Sequence, residues 1–161
     1  MRDIVWKNLV NIKFKEVYTY ECSKLAGTCE RTYSFLLALT SASSVAGWAI
    51  WNKYPIFWAS IIGVSQVLSI AKPYIGFVKN DKAYLEMSFE FERLYLEYER
   101  LWYDIEYQKL KEDDAREHLD KLRRKEMEIE ERHKNVVCPE LKRYMDKASN
   151  KTLKKLEIDF G

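Results

Sequence analysis

Two charge-free stretches set almost end to end constrain this chain more than any other feature. Residues 32–52 hold no charged side chain over 21 positions, and residues 54–71 hold none over 18, with Lys53 alone between them. Charge is dense elsewhere, for the 161 residues carry 27 Lys and Arg against 25 Asp and Glu. At 1.5 Å of rise per residue, the first stretch makes about 32 Å of helix against a hydrocarbon core of roughly 30 Å. Backbone polar groups in lipid must be satisfied within the segment, so each stretch is expected to be helical. The expected fold is an all-α membrane protein with a two-helix transmembrane hairpin, its spans at residues 32–52 and 54–78.

The flanks define the ends of that hairpin. Trp48, Trp51, Tyr54 and Trp58 cluster around the connection, and amphipathic rings of this kind settle at a membrane interface. Pro55 fits the first turn of the second helix, where a missing N–H costs nothing. Lys72 is expected to snorkel to the opposite headgroups. Residues 1–31 hold six basic side chains, residues 79–161 hold 19, and the connection holds only Lys53. The positive-inside rule then predicts a multi-pass protein of the bacterial inner membrane with both termini cytoplasmic.

Three segments follow: residues 1–31, the hairpin at 32–78, and a cytoplasmic helical region at 79–161. In the first, Val5, Leu9 and Ile12 share one stripe among interleaved lysines. This predicts an amphipathic helix, on the inner membrane surface or packed on the cytoplasmic helices. In the third, Tyr84, Met87, Phe91, Leu94, Tyr98, Leu101 and Ile105 are spaced alternately by three and four. Tyr95 and Trp102 widen this heptad stripe, which is expected to meet more than one partner and to offer copies of the chain a surface for assembly. Asp114 and Glu117 match a capping box opening a further helix, although the spacing also suits one helix continuous from residue 79 to 134. Cys138-Pro139 is expected to end that helix and a short one to follow from residue 140 to about 150. The basic, then apolar, tail at 151–161 reads as a lipid contact or a frayed end.

Enzyme chemistry finds no footing in the sequence. The net charge of +2 comes from acids and bases alternating along the same segments, so no nucleic-acid surface is expected. The glycines are too scattered for a phosphate loop. Cys22, Cys29 and Cys138 lack metal-ligand spacing and read as reduced thiols. His118 and His133 are predicted to lie on the surface. Neither has an arginine five to seven positions upstream, as the ribonuclease template of arginine, four to six spacers and histidine requires. No catalytic residue, cofactor or metal is therefore expected.

The working part is then the membrane segment. Ser43 and Gly47 on the first span, and Ala59 and Gly63 on the second, form small-xxx-small pairs that let helix backbones approach closely, within the hairpin or between subunits. Ser65, Ser69 and Lys72 fall at i, i+4 and i+7 with Gln66 alongside. A glutamine facing lipid is costly, so this stripe faces a protein neighbour or water. Two helices enclose no water path, and a pore lined by Ser65, Gln66, Ser69 and Lys72 requires a ring of copies. Hydrogen bonding between helices accounts for the same residues.

The whole layout resembles a known one. A lead ending in Cys29-Glu30-Arg31-Thr32-Tyr33 precedes two close spans, then Tyr84-Leu85 through Leu94-Tyr95, Tyr98 and Leu101-Trp102, then Val137-Cys138-Pro139-Glu140 and a helix with Ala148. This resembles the bacterial SLATT family of two-transmembrane effectors. It is also similar to the small two-span accessory proteins of RNA-targeting CRISPR systems. The resemblance implies an oligomeric pore that permeabilises or depolarises the inner membrane in antiviral defence, under an upstream nucleotide-signalling or RNA-guided sensor. A holin-like lesion former and a membrane-anchored scaffold are the competing classes.

Overall fold

The computed structural model describes residues 1–46, 55–71, 76–107 and 109–160. These residues are helical wherever they are regular, as an all-α fold requires: α1 (Arg2–Ala46), α2 (Pro55–Ala71), the single turn α3 (Gly76–Lys79), α4 (Asp81–Glu106), α5 (Glu112–Arg132) and α6 (Lys142–Phe160). Two compact units result, Met1–Ser23 with Lys82–Gly161, and Lys24–Asp81. Their boundaries fall at 23/24 and 81/82, where the sequence suggests 31/32 and 78/79.

The first unit is a four-helix bundle. Val5, Leu9 and Ile12 of α1 meet Phe91, Leu94, Tyr95, Tyr98 and Leu101 of α4, Leu119, Leu122 and Ile129 of α5, and Leu156 of α6 in one buried cluster. Each such side chain contributes about 1.5–3 kcal/mol by leaving water. Salt bridges fix the order of the helices. Arg2 pairs with Glu106 at 2.9 Å, Lys125 with Glu97 at 2.6 Å and Lys147 with Glu21 at 2.7 Å, so α1 runs antiparallel to α4 and α6, and α5 antiparallel to α4.

Several expectations change here. The amphipathic lead is no separate element: it opens α1, a helix of 45 residues, and its stripe is spent in the bundle core. The heptad of α4 is likewise internal. Tyr84, Phe91, Leu94, Tyr98 and Leu101 are buried within the chain, with Met87 and Ile105 packed against the core, so the stripe offers no free surface to other copies. Its width has a physical reason, since α1, α5 and α6 all cover it.

Helices α4 and α5 are separate, and α5 starts at Glu112 behind an extended Lys111 with no side-chain cap, not at Asp114. Glu112, Asp113 and Asp114 instead fill its first turn, where carboxylates meet the positive end of the helix dipole. At the other end α5 stops at Arg132, before Cys138-Pro139 is reached. The tail is neither frayed nor short, because α6 extends to Phe160. The Phe160 ring lies 5.1 Å from that of Trp6 and 5.0 Å from that of Trp102, contacts worth about 0.5–1.5 kcal/mol each beyond burial.

In the second unit, among the described residues, no helix is long and apolar enough to cross a membrane. The connection from Gly47 to Tyr54, with Trp48 and Trp51, and Lys72 lie outside the described residues.

Candidate functional site

Helix α2 carries no charge over its 17 residues, and four of its large aliphatics stand exposed on the arc that also holds the exposed Ser60. Ile56, Val64, Val67 and Ile70 are 82%, 56%, 66% and 69% exposed, while Ser65 is buried. At 100° per residue the four aliphatics occupy one arc of roughly 120°, with Ser65 near its opposite pole. Ala59 and Gly63 lie in or beside the exposed arc, both exposed, and a Cβ added at Gly63 would meet nothing within 4 Å. That small-residue pair thus lies exposed among the described residues. Ser43 belongs to α1, its side chain outside the described set, and Gly47 lies beyond it.

The polar stripe divides. The Ser65 hydroxyl donates to the Ile61 carbonyl at 2.8 Å, so it is satisfied by its own helix and turned from the exposed face. Gln66 is exposed at the edge of the aliphatic arc. The Ser69 side chain and Lys72 are outside the described residues. Of the two described, Ser65 and Gln66, the first is buried and the second exposed, so these two do not share an exposed face.

Polar side chains that sequence reasoning missed lie inside the bundle. Glu21 is 1% exposed and accepts from Lys147 at 2.7 Å and Lys151 at 2.5 Å. Burial alone would raise its carboxyl, but the two lysine hydrogen bonds outweigh it and hold the group below its ordinary 4.5. Lys13 is buried beside Glu16 at 2.5 Å and 4.4 Å from the Tyr95 ring centroid. Burial raises the Glu16 carboxyl against the pull of Lys13. His133 is not a surface residue: it is buried, with Nε2 3.0 Å from Glu90, which Arg132 also engages. His118 is exposed on α5 and lines an open cleft with Glu97, Asp104 and Lys125. Among the described residues no group of three or more His, Cys, Asp or Glu side chains is placed to hold a metal.

The Glu21 triad makes an acid-dependent contribution. A carboxylate with a lowered folded value stabilises fully above about pH 4.5, and that stability is lost as the pH falls through the folded value. Glu21→Gln is expected to cost about 1–3 kcal/mol at pH 7 and to flatten the loss on acidification. Thermal unfolding followed from pH 7 to pH 3 checks it; parallel curves for both proteins would refute it.

Comparison with protein families, curated proteins and solved structures finds no match to this chain.

Proposed function

We propose that the chain is an oligomeric, pore-forming effector of the bacterial inner membrane, acting in antiviral defence and switched on by an upstream nucleotide-signalling or RNA-guided sensor. The observation that carries the membrane part is the exposure of α2: a charge-free helix with Ile56, Val64, Val67 and Ile70 outward on one arc suits a hydrocarbon solvent. Its 17 described residues make about 26 Å of helix against a hydrocarbon core of roughly 30 Å. The topology of the bundle supports a hairpin. Met1–Ser23 and Lys82–Gly161 pack in one unit, as an even number of crossings by the segment between them would require.

The exposed Ala59–Gly63 face supports assembly, because small residues let helices from different copies approach closely. Gln66 beside it is the one described polar side chain of the stripe left to face a neighbour or a water path. The SLATT-like layout supplies the antiviral part and the sensor. A scaffold recruiting partners through the α4 stripe is less well supported, since that stripe is buried inside the chain.

Particle size and single-channel recording on the purified full chain test the proposal. The expected result is a closed ring that conducts, with conductance altered at least several-fold by Gln66→Leu. A monomer or dimer that never conducts would sink the pore.

A further inference from the structure

Where α1 nears the end of the bundle, it meets the non-helical connection between α5 and α6. The Tyr18 hydroxyl donates to the Pro139 carbonyl and accepts from the Leu141 N–H at 3.4 Å. From α4, the Tyr84 hydroxyl donates to the Val137 carbonyl at 2.6 Å. These two tyrosines clamp the connection on both sides of Cys138. Cys22 stands one turn beyond Tyr18 on the same face of α1 and is 1% exposed, which sets its thiol against the connection that carries Cys138. Both are free thiols, and Cys138 is half-buried beside a strongly exposed Val137.

We propose that Cys22 and Cys138 form a hydroperoxide-sensitive modification site that closes reversibly to a disulfide, stapling α1 to the α5–α6 connection. The roles of the two sulfurs follow from their surroundings. Cys138 is the more exposed of the two and meets the oxidant first, and the neighbouring Cys22 holds the Cys138 thiol below the ordinary range, which favours the thiolate. Cys22 is buried, and its neighbour Cys138 together with burial pushes its thiol up, so it reacts second.

The Cys138 thiolate attacks the peroxide, its O–O bond breaks, and Cys138 becomes a sulfenic acid while the other oxygen leaves as an alcohol or water. The Cys22 sulfur then attacks the sulfenyl sulfur. The S–O bond breaks, and the hydroxyl leaves as water with the Cys22 proton. Two thiols and one hydroperoxide thus give one disulfide, one alcohol (water, from hydrogen peroxide) and one water. A dithiol reductant reverses the product by exchange. Unit boundaries give the staple its meaning: Cys22 is the residue before Ser23, the last of α1 in the bundle, so the disulfide fixes the point at which α1 leaves. This holds whether or not the membrane proposal does.

The test treats the full chain, purified reduced in detergent, with excess hydrogen peroxide, then blocks free thiols with a maleimide after unfolding. The expected product takes up one maleimide, at Cys29, where the reduced chain with its three cysteines takes up three. It yields a linked Cys22–Cys138 peptide and returns to the reduced state with dithiothreitol. Cys29→Ser is expected to keep the link. With Cys22→Ser, Cys138 should climb instead to the sulfinic acid, gaining about 32 Da. Should that variant fail to fold, Cys138→Ser serves, with Cys22 expected to stay reduced at the same dose. Over-oxidation of Cys138 in the native chain with Cys22 still a thiol, links through Cys29 instead, or no reaction would each overturn the proposal.

Discussion

Replacing Phe91 with alanine is expected to destabilise the bundle by about 3–5 kcal/mol, whereas Phe89→Ala, two residues earlier on the same helix, should move it by about 0.5 kcal/mol or less. Phe91 is 1% exposed at the centre of the α1–α4–α5–α6 core, with the Lys15 ammonium 5.8 Å from its ring centroid, while Phe89 is half exposed on the outer face. Truncating Phe91 removes buried aromatic area and leaves a cavity that four tethered helices fill only partly. It also exposes a Lys15 ammonium already shared between Glu126 and Glu130. In a domain of about this size each kcal/mol lowers the midpoint by roughly 4–8 °C, so thermal unfolding followed by circular dichroism separates the two variants. Similar midpoints would mean that the stripe is not the core.

That contrast marks how much of the fold was legible in the sequence. The heptad at Tyr84, Phe91, Leu94, Tyr98 and Leu101 is a local pattern, and local patterns are written in residue spacing. What covers it is not local. Val5, Leu9 and Ile12 arrive from the far end of the chain and Leu156 from α6, so the same stripe reads equally well as a surface for other copies. The tail misleads for the same reason. Leu156 and Phe160 look like loose apolar residues after a basic run until Trp6 and Trp102 are placed beside them. His133 and Glu21 look solvated because their partners, Glu90 and the pair Lys147 and Lys151, stand on other helices.

In the second unit the difficulty differs. The stripe of Ser65, Gln66 and Ser69 marks a polar side of residues 54–71, but a short serine that its own helix satisfies turns inward as readily as outward, so the inward Ser65 beside the outward Gln66 is a matter of tertiary packing. The Cys22–Cys138 contact is legible from neither spacing nor composition. It depends on Tyr18 and Tyr84 gripping the connection around Pro139.

Val64→Asp combined with Val67→Asp is expected to remove the chain from the membrane. Val64 is the tenth of the 17 residues of α2, near the middle of the proposed span, and both valines point outward. An aspartate at the centre of a spanning helix costs roughly 2.5–3.5 kcal/mol on insertion scales, and the pair about 5–7 kcal/mol, roughly four to five powers of ten in partition at about 1.36 kcal/mol for each tenfold. Alkaline extraction of membranes from expressing bacteria should leave the native chain in the pellet and release or lose the double variant. The control is Ile158→Asp on α6. Ile158 is as exposed as Ile70, but it sits among the charges of the bundle, where a lone exposed aliphatic is ordinary; its replacement should leave the pellet unchanged. If the native chain is itself extracted, or the double variant is retained as firmly, the exposed aliphatics of α2 meet protein instead of lipid. Equal loss from Ile158→Asp would point to general unfolding. Exposure of apolar side chains is thus diagnostic only with its setting: four aliphatics on one face of a charge-free helix call for a solvent, and one beside lysines does not.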